Sequence, residues 1–309
     1  MKILQDPREL PSSGRKVCLA IGMFDGVHLG HQQVIRQMVV DAGQHAAASV
    51  VVTFDRHPST VVAPGRVPPL IYSLPQKLRA IEALGPAATW LIRFDEDFSR
   101  LTGEEFVRKL ARDFGQLHSL CVGSGFIFGY KRSGTVELLR QLGSELNFTV
   151  HGLAAVAIDG RAVSSTRIRE AIVHGQFDAA SLMLGRGYSL AGQVVKGDQL
   201  GRKLGFPTAN LESAGLALPP NGVYTALARA GTQTFRAVVN IGVRPTVTNA
   251  PPSRRVEAHI LDWEGDLYGQ ELELAFAAKL RDERRFKSLD ALRVQIARDV
   301  EGARVLFGA

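Results

Sequence analysis

The chain has 309 residues, room for two domains, with 45% hydrophobic residues to build cores and an ordinary 22% of charged ones. Its formal charge of +7 suits anionic small molecules such as nucleotides, but the basic residues are dispersed and form no arm, which argues against nucleic acid as a partner. No apolar stretch approaches the ~18 residues that cross a bilayer and residues 1–15 are mostly polar, so no membrane role is expected and the cytoplasm is the expected location.

Residues 16–158 alternate short apolar runs with amphipathic stretches. Strands are expected at 16–21, 49–54, 90–94, 119–122 and 149–158, and helices at 31–42, 76–83, 103–113 and 136–142. Such alternation predicts a Rossmann-like parallel sheet with helices on both faces, where ligands bind beyond the carboxyl ends of strands. Residues 164–184 read as one helix. After Gly185 the pattern changes to closely spaced strands, at 189–196, 223–230, 235–241, 256–261 and 271–277, punctuated by Gly and Pro. That half reads as a small all-β barrel. A final helix is expected after Ser288 as N-cap, with Leu289, Leu292, Ile296 and Val300 on one face. The domain boundary falls near 186, giving 1–186 and 187–309. Cys18 and Cys121 lie in apolar runs without a CxxC spacing, as buried thiols of a reducing compartment do.

Two stretches carry phosphate chemistry, one in each half, and neither has the Walker spacing. Two unrelated sites point to two reactions. The first is Gly22-Met-Phe-Asp-Gly-Val-His-Leu-Gly-His31. Its histidines, His28 and His31, stand i, i+3 at the opening of a helix, where free N–H groups and the dipole attract anions. Two imidazoles there can donate to a triphosphate and stabilise charge developing on the attacked phosphorus. Gly22, Gly26 and Gly30 permit close backbone approach. No third ligand stands at zinc-like spacing from the histidines.

The second is Gly201-Arg-Lys-Leu-Gly-Phe-Pro-Thr-Ala-Asn210. Gly197, Gly201 and Gly205 make a loop able to wrap phosphates, and Arg202 and Lys203 could hold them. Thr208 and Asn210 offer hard oxygens at i, i+2, on one side of an extended segment, which suits Mg²⁺ shared with nucleotide phosphates. Glu257 is the acidic residue inside the apolar run Val256-Glu-Ala-His-Ile-Leu261. By itself it also reads as an outward-facing strand carboxylate. The charge run 281–285 reads as a solvated face.

The first stretch closely resembles the N-terminal motif of the bacterial bifunctional riboflavin kinase/FAD synthetase family. Phe54-Asp-Arg-His-Pro58 resembles that family's segment after the second strand. Val163-Ser-Ser-Thr-Arg-Ile-Arg169 resembles its second nucleotide motif, with Ser164, Ser165, Thr166 and Arg169 facing the triphosphate. Downstream, Gly192-Gln-Val-Val-Lys-Gly197, the 201–210 stretch, Asn221-Gly-Val-Tyr224, Asn240-Ile-Gly-Val-Arg-Pro-Thr246, Val256-Glu-Ala-His259, Leu267-Tyr-Gly269 and 281–286 resemble the riboflavin kinase domain. The likeness covers nearly the whole chain.

It implies a nucleotidyltransferase-like α/β domain followed by a riboflavin kinase barrel. The implied substrates and products are ATP, riboflavin, FMN and FAD, with Mg²⁺ serving both steps. Nucleotide contacts fall to Gly22, Phe24, Asp25, Gly26 and Gly30 in the first half, and to Gly197, Gly201, Arg202, Lys203, Gly205 and Pro207 in the second. Glu257 takes the family's general base, and Thr208 and Asn210 its metal. Three departures stand out: Arg56 where the family usually has Pro, Gly125 where it usually has Asp or Asn, and Ile127 where it often has a polar or basic residue. Gly125 keeps open a kinase with an impaired adenylyltransferase half; a non-catalytic flavin or nucleotide sensor is the rival of another class. Oligomeric state is not legible.

Overall fold

The computed structural model describes residues 1–10, 16–243 and 254–308, in two compact units: 1–70 with 74–165, and 71–73 with 166–308. The first unit holds six parallel strands, β1 (Lys2–Leu4), β2 (Val17–Ile21), β3 (Ala48–Phe54), β4 (Ala88–Ile92), β5 (Leu117–Gly123) and β6 (Thr149–Leu153). Their order is β1-β4-β3-β2-β5-β6. β2 is buried at every residue, as a central parallel strand covered on both faces must be. The chain winds from β2 outward to β3 and β4, then returns to β2's other side as β5, so the crevice between β2 and β5 is the topological switch point. The loop after β2, which carries the first motif, opens there.

Helix α1 (Leu29–Gln44) packs on one face, where Ile35 and Met38 meet Cys18, Ala20 and Val51. The short α2 (Ser59–Val62) and then α3 (Leu74–Glu82) follow β3, and Ile81 of α3 joins that core. A turn of helix, α4 (Glu96–Ser99), precedes α5 (Gly103–Phe114), and α6 (Val136–Leu146) follows β5. Phe106, Leu110 and Leu139 of these helices cover the other face with Leu19, Val50 and Trp90. α5 starts at Thr102, whose side chain and that of Glu105 satisfy each other's backbone N–H groups in a capping box.

Three differences from the sequence pattern are physical. β1 is too short to show a period, and pairing with β4 makes it a strand. The expected strand 149–158 stops at Leu153, and Ala157–Ile158 (β7) instead folds back on Arg161–Ala162 (β8) through Asp159 and Gly160, both at positive φ. The helix expected over 164–184 is two, α7 (Ser165–Val173) and α8 (Phe177–Leu184), because Gly175 at φ 71° ends the first.

In the second unit, β9 (Ser189–Val195), β10 (Ala209–Leu211), β11 (Gly222–Ala230), β12 (Gln233–Val243), β13 (Arg254–Ile260) and β14 (Glu271–Arg281) close an antiparallel barrel in the order β10-β13-β12-β11-β14-β9. β13 alternates, with Val256, Ala258 and Ile260 buried and Arg255, Glu257 and His259 half-buried. Phe177 of α8 stacks on Tyr188 and Phe276, which groups residues 166–186 with the barrel. Between β9 and β10 one turn of helix, α9 (Leu200–Lys203), interrupts the glycine loop. The last helix, α10 (Leu289–Leu306), is capped by Ser288 Oγ, which accepts from Ala291 N–H at 3.1 Å. Among the described residues no helix is long and apolar enough to cross a membrane.

Candidate functional site

The first motif folds into a strained turn. Gly26 sits at φ 77°, but so in the left-handed region do Phe24 at 51° and the β-branched Val27 at 41°. Each such residue costs about 1–3 kcal/mol and persists only where packing over-determines it. Here Phe24 and Val27 are buried in the core under α1. Two of the motif's glycines answer to neighbouring rings. A Cβ on Gly22 would lie 2.9 Å from the Phe24 ring, and one on Gly30 3.3 Å from the His28 ring.

α1 begins two residues earlier than its periodicity suggested, which makes His28 the N-cap, its Nδ1 accepting from His31 N–H at 3.4 Å. The two imidazoles stack with centroids 3.6 Å apart and planes 19° apart, and Phe24 meets His31 edge-on. The structure therefore joins the histidines into one unit at a helix N-terminus. Ser165 Oγ donates to Asp25 O at 3.0 Å, which brings the start of the second nucleotide motif to the first. Asp25 is buried, Ser164 and Ser165 are half-buried and Thr166 is exposed; Arg169 is half-buried on α7. Gly125 lies in the turn after β5, exposed, outside the positive-φ glycines, with open space where a Cβ would stand.

The residue missed by sequence reasoning is Lys77, on α3. It is 4% exposed, and its Nζ donates to Phe54 O at 2.7 Å, Thr53 Oγ1 at 3.3 Å and Met23 O at 3.4 Å. One ammonium thus knots the end of β3 to the strained turn. Burial pushes the Lys77 pKa down to about 8, against the pull of Asp25 and Asp55. A lysine four residues from the buried Ile81, on the same helix face, was the available signal.

In the barrel the second motif's residues meet on adjacent strands. Asn210 of β10 is the register partner of Glu257 of β13, and Asn240 of β12 is Glu257's partner on its other side. Directly opposed residues of an antiparallel pair point to the same face, so the carboxylate lies between two amides. β10, only three residues long, exists through pairing with both β9 and β13. The glycine loop folds over it. A Cβ on Gly197 would lie 2.3 Å from Asn210 Nδ2, and one on Gly201 2.4 Å from Phe206 O and 3.2 Å from Thr208 Oγ1. Glycine is required at Gly201 by the Phe206 backbone carbonyl, and at Gly197 any side chain would displace the Asn210 amide. Gly205 sits at φ 87° and is exposed, as are Arg202, Lys203 and Pro207. Asp198 pairs with Arg255 of β13 at 3.0 Å, and His259 Nδ1 contacts Pro207 O at 2.8 Å, so β13 anchors both ends of the loop.

A cleft of about 500 Å³ opens over Arg202, Pro207 and Thr208, walled by Trp263 and Tyr268. Another of about 480 Å³ opens over Gly197 and Asn210. Of the Asn240–Thr246 stretch, residues 244–246 lie outside the described residues. The expected solvated charge run at 281–285 is corrected at its first member: Arg281 makes a bidentate pair with Asp299 of α10, 7% exposed, at 2.7–3.1 Å. Within the run Glu283 also accepts from Asn221 Nδ2 at 2.9 Å, while Asn221 Oδ1 accepts from Arg254.

Residues 10–167 match the family described as FAD synthetase, and residues 184–307 the one described as riboflavin kinase. A bifunctional riboflavin kinase/FMN adenylyltransferase of Escherichia coli strain K12 is 34% identical over 310 residues, covering 100% of this chain and 98% of that protein. The protein of the same description from Pseudomonas fluorescens is 36% identical over 99% of this chain and 98% of its own length. A solved structure described as a macrolide-efflux protein from Streptococcus pneumoniae superposes with a TM-score of 0.80 at 28% identity, over 98% of each chain. With both family domains matched in order and relatives aligned end to end, the chain belongs to the bifunctional riboflavin kinase/FMN adenylyltransferase family.

Proposed function

We infer that the chain makes FAD from riboflavin in two steps, with 1–186 and 187–309 as its working domains. The barrel passes the γ-phosphoryl group of ATP to riboflavin: the bond to the β-phosphate breaks, a bond to the flavin's terminal ribityl oxygen forms, and FMN and ADP leave. The N-terminal domain then joins FMN to the α-phosphorus of a second ATP, releasing pyrophosphate and FAD. The observation that carries the kinase assignment is the opposition of Asn210 and Glu257, with Gly197 of the loop packed on the Asn210 amide.

In the kinase step Glu257 takes the ribityl hydroxyl proton. A carboxylate suffices, because in-line phosphoryl transfer needs an oriented nucleophile more than a strong base. The hydroxyl and amide oxygens suit Mg²⁺ shared with a nucleotide, so Thr208 and Asn210 would hold the ion and the 197–207 loop the phosphates. When bound, the ion neutralises charge on the transferring phosphates. In the adenylyl step the stacked His28 and His31 donate to phosphate oxygens at the α1 N-terminus, assisted by Ser164 and Ser165. Gly22, Phe24, Asp25, Gly26 and Gly30 shape the turn that receives the nucleotide. Lys77 acts through that turn as a positioning residue.

The test is incubation of the purified protein with riboflavin, ATP and Mg²⁺, followed by chromatographic separation of flavins. FMN followed by FAD supports the reading; FMN alone leaves only the kinase, and neither product removes both.

A further inference from the structure

At the far end of α1 from His28, the fold gathers a second set of metal-ligating groups. α1 has 16 residues, so it spans about 24 Å and carries these groups well away from the nucleotide turn. Asp41 stands in its last turn and His45, i+4, is its C-cap, while His118 and His151 come from β5 and β6. One ligand atom each from Asp41, His45 and His118 lie within 4.8 Å of one another. His45 Nδ1 is 3.1 Å from Asp41 Oδ1, His151 Nε2 is 3.7 Å from Asp41 Oδ2, and the His45 and His118 rings are 4.1 Å apart.

We propose that Asp41, His45 and His118 bind one Zn²⁺ ion, with His151 beside them, in a site separate from both reactions. Two imidazole nitrogens and a carboxylate oxygen are a borderline donor set suited to zinc. Ligand atoms around tetrahedral zinc sit about 3.3 Å apart at bond lengths of about 2.0–2.1 Å, so the present spacing closes by a small side-chain turn. His45, 41% exposed in its side chain, would exchange its present contact of Nδ1 with Asp41 O at 3.0 Å for the ion as it turns. The carboxylate is already oriented as zinc sites require, because the fully buried Ser119 hydroxyl donates to Asp41 Oδ2.

Protonation agrees with this. Burial pushes the Asp41 carboxyl up, but hydrogen bonds from Ser119 and Cys18 and the nearby imidazoles prevail and its pKa is lowered. Burial and then His45 lower that of His118, favouring the neutral ring that can ligate. The three groups whose ligand atoms converge are Asp41, His45 and His118. His118 also lines a cleft of about 810 Å³, so its ring is reached from solvent. Bound zinc would clamp the end of α1 to β5.

The experiment uses the full chain without a histidine tag, stripped by chelator and titrated with ZnCl₂ by calorimetry, with Mg²⁺ present throughout. The expected result is one equivalent bound, a rise in Tm, and a tetrahedral visible spectrum when Co²⁺ replaces zinc. His45→Ala with His118→Ala should weaken binding on the order of 100-fold or more. Ser119→Ala should weaken it by about 10–100-fold while keeping all ligands. Unchanged FAD formation from supplied FMN in each variant certifies the fold of the sheet unit that carries the site. No saturable binding below about 100 µM would overturn the site. Equal affinity in the double variant would overturn it too, by placing the ion on other histidines.

Discussion

Asn210 and Glu257 face each other across β10 and β13, and Asn240 flanks the same carboxylate from β12. A candidate metal ligand and a candidate base, 47 positions apart in the chain, become neighbours through one rung of a three-residue strand.

Glu257→Gln keeps this rung and removes the proton acceptor. FMN formation should fall about 10²–10⁴-fold, the range for loss of a general base. FAD formation from supplied FMN should persist. Near-normal riboflavin turnover would take Glu257 out of the mechanism.

Asn210→Ala should raise the Mg²⁺ concentration needed for FMN formation and leave adenylylation alone. Gly197→Ala should do the same with Asn210 intact, because the added methyl would occupy the place of the Asn210 amide. Unshifted Mg²⁺ titrations in both variants would sink the assignment.

Changing both His28 and His31 to Ala should abolish FAD formation while riboflavin is still phosphorylated. His28 also caps α1, so part of any loss in stability, about 1 kcal/mol, belongs to the cap. His28→Asn separates the roles: Asn caps a helix well but brings no imidazole. If it restores FAD synthesis along with stability, His28 is structural.

Lys77 gives a pH signature. Its folded pKa of about 8 lies below the ordinary 10.5, so burial opposes the charged form. The cost is fully present below pH 8 and is relieved as pH rises from about 8 to 10.5, by about 3 kcal/mol at most. The unfolding free energy of wild type relative to Lys77→Met should therefore improve across that window in urea melts. The variant should also lose FAD formation before FMN formation. A stability difference flat with pH would remove the buried ammonium from the account.

Gly125 forfeits a side chain that the family places in the adenylylation half. A hydrogen bond to a charged group is worth about 1.5–3 kcal/mol, or one to two decades in rate. FAD synthesis should then lag the kinase step, with FMN building up transiently. Gly125→Asn should speed it, since the backbone there is not at positive φ and a Cβ meets nothing within 4 Å. A time course without FMN build-up, and no gain in the variant, would make the missing side chain irrelevant.

The sequence by itself determined the two architectures and the two motif-bearing turns. Periodicity is local, and parallel α/β winding and antiparallel barrels leave different periods. The capping role of Ser288 was legible for the same reason. What the tertiary structure decided depends on pairing between distant residues. β1 and β10 are strands only because β4, β9 and β13 supply partners, and three residues carry no period of their own. The break at Gly175 turned on one backbone angle, and Arg281 left the solvent because Asp299 stands on a helix 18 positions away. Lys77 and the Asp41, His45 and His118 cluster follow the same logic. Their chemistry comes from burial and from side chains brought together across strands, and neither quantity is written in the spacing of residues along a chain.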